Sequence, residues 1–141
     1  MKILMAVDGS ADSLNALRSL IEHVRWFSDR PELHLLHVHP PIPVGLVTRH
    51  VGHDALESYY REEGEAALAA ARELLDSAQL PYALHIHVGQ PAETIVKEAT
   101  ELGCDLIAMG NHGRGALPSA ILGSVATRVL HLAQIPVLLA K

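Results

Sequence analysis

Five short apolar runs, "KILMAV" (Lys2 to Val7), "LHLLHVH" (Leu33 to His39), "YALHIHV" (Tyr82 to Val88), "CDLIAMG" (Cys104 to Gly110) and "PVLLA" (Pro136 to Ala140), alternate with segments of helical character. Their length suits strands. Strands separated by helices pair in parallel, and the crossover helices cover both faces of the sheet. The expected fold is α/β: one open parallel five-stranded sheet with helices on both faces. The 141 residues suit a single domain, 1–141.

The intervening segments carry helix signals. Ser10 opens the first, which runs toward Ser28 with Leu14, Leu17, Leu20, Ile21 and Val24 inward. Asp54 with Glu57 three residues on reads as a capping box for an Ala/Glu/Leu-rich helix reaching about Gln79. Pro91 sits at a first helical position, Ile95, Ala99 and Leu102 recur at helical spacing, and Gly103 ends the segment. The last helix begins at Gly123 or Ser124. The connection Pro40 to His53 is long for a strand-to-helix loop and reads equally as a flap near a site or a surface excursion.

Right-handed crossovers allow strands one to three to be laid outward on one side and strands four and five on the other, giving the order 3-2-1-4-5 of a Rossmann-like sheet. Ligands of such sheets bind beyond the strand ends where the order reverses. Strand one ends at "VDGS" and strand four at "MGNHG", so Asp8 is expected to face a glycine loop.

That loop holds Gly110, Gly113, Gly123 and Ser124 in the spacing G-x2-G-x9-G-S. Glycines admit positive φ and close backbone approach, so successive amides can converge on one anion. A helix starting at Gly123 adds unpaired N–H groups and a favourable dipole, which makes phosphate the natural guest. Ser124 supplies a hydroxyl or caps the helix. Asp8 either accepts from a ribose or adenine amino group or only forms a turn with Gly9. The motifs G-x-x-x-x-G-K-[ST], G-x-G-x-x-G and G-x-S-x-G are absent, which argues against P-loop, dinucleotide-binding and acyl-transfer chemistry.

Composition narrows the partners. With 49% hydrophobic and 19% charged residues and a net charge of -5, the chain has a core to bury and no clustered basic surface for nucleic acid or an anionic membrane. Any anion must therefore be held by local geometry. No apolar run approaches 18 residues, the start does not read as a signal peptide, and the lone Cys104 lies in a strand-like apolar run. These features fit a reduced, cytoplasmic setting.

In "AVDGSADS", "HVHP", "GQPAETIVKEA", "CDLIAMGNHGRGALPSAILGSVA" and "IPVLLAK", the sequence resembles the universal stress protein family over essentially its whole length, and the glycine spacing resembles its ATP-binding branch. The resemblance implies a stress-associated, nucleotide-binding homodimer joined through the last strand, Pro136 to Ala140. Its ligand would be ATP, with AMP or ADP as open alternatives, together with Mg2+. Carried onto this chain, Asp8 and Val38 flank adenine and ribose, with Ala6 beside them, and Met109 and Gly110 line the base pocket. Gly113, Gly123, Ser124 and Val125 hold the phosphates. Ala126 stands where some ATP-binding members carry a second hydroxyl, for which Thr127 is a partial substitute. A dimer that does not use nucleotide is the alternative reading.

Other residues are less specific. His112 positions the glycine loop or touches phosphate; Arg114 neutralises a terminal phosphate or only solvates the loop. Tyr59 and Tyr60 read as packing or dimer contacts. His37 and His39 share one face of strand two, as His85 and His87 share one face of strand three, and on neighbouring strands the four imidazoles could converge. Without a supporting carboxylate or cysteine spacing, these four read as lining a half-exposed outer sheet rather than a metal site. No base and nucleophile pair is evident, so at most slow ATP hydrolysis is expected.

Overall fold

The computed structural model describes residues 1–43, 45, 52–114 and 121–141. Strands β1 (Lys2–Ala6), β2 (Glu32–His39), β3 (Tyr82–Val88), β4 (Leu106–Gly110) and β5 (Val137–Ala140) pair in parallel in the order β3-β2-β1-β4-β5. Helices α1 (Ala11–His23), α2 (His53–Ser77), α3 (Pro91–Glu101) and α4 (Ser124–Leu132) supply the crossovers. The order 3-2-1-4-5 expected from the alternation of strands and helices is the one observed.

Strict two-residue alternation divides the core. Ile3, Met5 and Leu35 pack with Leu17 of α1 and Leu68 and Leu75 of α2. Leu4, Leu36 and Ile107 pack on the other face with Ile95 of α3 and Val129 of α4. Covered on both faces, β1 and β4 read as nearly unbroken apolar runs, whereas β2 is interrupted by His34 and His37. Each fully buried leucine or isoleucine contributes roughly 1.5–3 kcal/mol relative to exposure.

The helix ends show which local signals acted. Ser10 is the N-cap of α1, its hydroxyl accepting from the Ser13 amide at 3.2 Å. This helix stops at His23 and tightens into a 3-10 turn, Val24–Trp26, short of Ser28. Pro91 stands at the start of α3, and Gly103 follows its C-cap at φ +66°, the left-handed conformation that glycine adopts without strain. The Asp54 capping box does not form. Gly52 is the N-cap of α2, which places Asp54 inside the first turn, and Glu57 pairs instead with His53 at 3.4 Å.

Register corrects the reading of the histidines. His37 lies opposite Ile86, whereas His85 and His87 lie opposite Leu36 and Val38. Paired residues of parallel strands share a face, so His37 and His39 project from the side opposite to His85 and His87. The latter two lie on the face that carries His34. Nor are all four half exposed: β2 is an interior strand, and His37 is only 5% exposed. Cys104 is buried, as its apolar run implies. Half of the connection considered as a flap, positions 44 and 46–51, lies outside the described residues. Among the described residues no helix is long and apolar enough to cross a membrane.

Candidate functional site

A cavity of about 270 Å³ opens beyond the carboxyl ends of the strands, where β1 and β4 lie side by side and their following loops diverge. Its apolar wall is built by Ala6 at the end of β1, Leu36 and Val38 of β2, Met109 at the end of β4, and Pro91 and Ile95 of α3. Its polar end is built by Asp8, Gly110, His112, Gly113 and Arg114, together with Gly123, Ser124, Val125 and Ala126 at the start of α4. All eleven residues singled out as ligand-binding from the sequence therefore line one space.

Asp8 ties the two loops together. One carboxylate oxygen accepts from the Ser10 amide at 2.9 Å and the other from the Arg114 amide at 3.0 Å. Burial pushes this carboxyl's pKa up. Hydrogen bonds from the Ser10 hydroxyl and amide, with Ser13 and the Arg114 amide, outweigh that and hold it below the usual aspartate value. Asp8 is thus both the expected turn-former and an anchor for the glycine loop 106 residues away.

The glycines serve close approach rather than positive φ, which among the described glycines occurs only at Gly9 and Gly103. A Cβ on Gly113 would fall 2.8 Å from Asp8 Oδ2, and one on Gly110 would fall 3.0–3.1 Å from backbone atoms of Asp12 and Ser13. Gly123 packs against Asn111 and His112, donating its amide to the Asn111 carbonyl at 2.7 Å. That bond fixes the start of α4 beside the glycine loop. Gly123 is the N-cap and has no side chain with which to cap the helix. The first-turn amides of α4 therefore have no intrahelical or side-chain acceptor from that cap, at the positive end of the helix dipole.

Ser124 is the first residue of α4 rather than its cap. Thr127, considered as a substitute for the hydroxyl missing at Ala126, donates its own hydroxyl to the Gly123 carbonyl at 2.9 Å and does not line the cavity. His112 places Nδ1 3.2 Å from Asp12 Oδ2 at the start of α1. Tyr60 is a packing residue here: its hydroxyl accepts from the Ile42 amide at 2.8 Å, and its ring lies 5.0 Å from that of His39.

Sequence reasoning did not assign His37, Glu63, Pro91 and Ile95 to this cavity. His37 Nδ1 lies 2.9 Å from the Val7 carbonyl oxygen. Because a carbonyl only accepts, Nδ1 carries the proton and Nε2 keeps the lone pair. Burial lowers the pKa of this imidazole; the Val7 bond opposes the shift, while His39 and Arg114 add to it. The available signal for His37 is its place near the carboxyl end of β2, the end at which the expected strand order puts the ligand crevice. Pro91 and Ile95 depend on how α3 packs, which no local pattern specifies.

The model of the universal stress protein family matches residues 1–141. Universal stress protein MJ0531 of Methanocaldococcus jannaschii is 31% identical over 140 residues, covering 99% of this chain and 81% of its own. The solved structure of MJ0577 from the same organism, described there as a hypothetical protein, superposes with a TM-score of 0.84 at 31% identity, covering 99% of this chain and 94% of that one. A universal stress protein solved in complex with cAMP superposes at 0.68 with 25% identity, covering 100% and 97% of the two chains. A match over the whole length, in sequence and in strand order alike, means that this chain belongs to the universal stress protein family.

Proposed function

We propose that the chain is a nucleotide-binding stress-response regulatory protein that takes ATP, with Mg2+, in the crevice between β1 and β4. The observation that carries the reading is the junction at Asp8. One carboxylate holds the β1 loop and the glycine loop together, beside the first-turn amides of α4, which Gly123 does not cap with a side chain. The apolar wall of Ala6, Val38 and Met109 suits an adenine ring, and the end formed by Gly113, Gly123, Ser124 and Val125 suits phosphates through backbone donors. Arg114 and His112 stand at that end and supply side-chain donors to the outer phosphates. The small volume left beside Gly113 fits this use, since a Cβ there would strike Asp8. A relative solved with cAMP supports an adenine nucleotide as the ligand class.

The homodimer belongs to the same reading. β5 is an edge strand whose Leu138 is 41% exposed, and pairing it with a second copy would satisfy its open backbone groups and cover that side chain.

Isothermal titration of nucleotide-free protein with ATP, ADP and AMP in the presence of Mg2+ tests the proposal. Saturable binding that is lost in Asp8→Ala is the expected result. No heat of binding at millimolar ATP overturns it and leaves the nucleotide-free dimer as the reading. Mass spectrometry of ligand released from freshly purified protein separates ATP from AMP.

A further inference from the structure

The sheet face beneath α3 carries a second cluster of ionisable side chains, none of which lines the nucleotide cavity. His85 and His87 stand two residues apart on β3, an edge strand, and project from the same face. Glu98 of α3 reaches the same spot, with Oε2 3.3 Å from His87 Nε2. One donor atom from each of the three lies within 4.8 Å of the others.

The surroundings of His85 are ordered as well. His34 Nδ1 lies 3.0 Å from His85 Nε2, and His34 Nε2 lies 3.0 Å from Glu32 Oε1. The Glu32 carboxylate can only accept, so His34 carries a proton on Nε2, and as a neutral imidazole it accepts at Nδ1. His85 therefore donates from Nε2, which leaves the lone pair on its Nδ1. A carboxylate–imidazole–imidazole chain of this kind fixes ring tautomer and orientation, as the outer partners of metal-bound histidines do.

Two imidazoles and one carboxylate around a point form a donor set for Zn2+ that leaves a further position for water. Zinc–nitrogen and zinc–oxygen bonds of about 2.0–2.1 Å put neighbouring donors of a tetrahedron roughly 3.3 Å apart. The His87 and Glu98 pair already has that separation. Glu98, only 8% exposed, is a carboxylate whose burial a cation would offset. The His87 side chain is 39% exposed, which gives an ion a way in.

We propose that His85, His87 and Glu98 bind a divalent transition-metal ion, Zn2+ by their donor set, with His34 and Glu32 as positioning residues behind His85. The site joins β3 to α3 and is independent of the nucleotide reading.

Tag-free protein titrated with Zn2+ against a chromogenic chelator tests this, with Co2+ absorption as a second readout of coordination. One equivalent should bind, and the Co2+ adduct should show the intense visible bands of a four- or five-coordinate ion. His34→Gln should weaken binding about 10- to 100-fold as an outer-shell change. His87→Ala and Glu98→Gln should weaken it further. His53→Ala and His131→Ala, at exposed positions away from the cluster, should leave it unchanged. Zn2+ should also raise the melting temperature of the wild type and not that of His87→Ala, whose replaced side chain is partly exposed and whose fold is checked by circular dichroism. Absence of a stoichiometric site overturns the proposal. So does wild-type affinity in His87→Ala, or a loss in His53→Ala or His131→Ala equal to that in His87→Ala.

Discussion

Replacing Gly113 by alanine tests whether the Asp8 junction organises the ligand site. The added Cβ would lie 2.8 Å from Asp8 Oδ2, well inside ordinary contact, so one of the two groups must move by about half an ångström or more. That oxygen accepts the Arg114 amide at 3.0 Å. Asp8 cannot retreat without lengthening a bond between the loops, and the loop cannot retreat without carrying its amides away from the cavity. A hydrogen bond to a charged group contributes about 1.5–3 kcal/mol. Asp8 is half-buried and water recovers part of this, which leaves roughly 1–2 kcal/mol.

If the nucleotide reading is correct, that loss falls on the amides facing the phosphates, and ATP affinity drops about 5- to 30-fold. Calorimetric titration of both proteins with ATP and Mg2+ measures the drop, and circular dichroism confirms that the variant is folded. A folded Gly113→Ala protein binding ATP within twofold of the wild type would refute the argument that the Asp8–Arg114 link shapes the site.

Gly110→Ala meets backbone rather than a side-chain tip, with the new Cβ 3.0 Å from the Asp12 carbonyl carbon. Because the first turn of α1 cannot rotate aside, the cost should be about 1–3 kcal/mol of folding stability, and an unchanged urea midpoint would contradict it. The folded-state pKa of Asp8 is depressed, so its contribution to stability is present above about pH 4 and is lost as the pH falls through the lower folded value. Urea titrations should accordingly find Asp8→Asn less stable than the wild type near neutrality, with the gap closing below about pH 4. His37 is a base with a lowered folded pKa, so its contribution is present above about pH 6.5 and declines as acid protonates the unfolded chain first. His37→Asn should flatten the fall in stability between about pH 7 and 5, leaving the part due to His85, whose pKa burial and the neighbouring His34 also lower; an unaltered slope would remove His37 as a source.

Much of this architecture is legible in the chain because local and global demands agree. Each strand is an apolar run bounded by a turn residue, and handedness leaves few ways to lay five of them in one sheet. The position of the cavity follows from that order, which is why residues as distant in sequence as Ala6 and Val125 could be assigned to one site. The glycines are readable as a group, and of the two reasons expected for them close approach is the one that acts, with partners the sequence does not name. Gly110 and Gly113 are small because α1 and Asp8 press against them, and contact across 100 residues leaves no local trace. The Asp54 capping box fails because the cap of α2 is Gly52, two residues earlier, and a short polar pattern does not say which residue is the cap.

The histidines fail for a physical reason that composition cannot repair. Alternation tells which residues of one strand share a face, but not which face of the neighbouring strand meets it. A slip of one residue in the pairing reverses the answer for every side chain. The pairing of Leu36 with His85 brings His34, His85 and His87 to one side and sends His37 to the other, beside the Val7 carbonyl. The carboxylate whose absence from the strand spacing counted against a metal comes from Glu98, on a helix that only tertiary packing delivers to β3. A cluster assembled from two strands and a helix has no sequence motif, because the distances that define it are set by register and by the seating of α3.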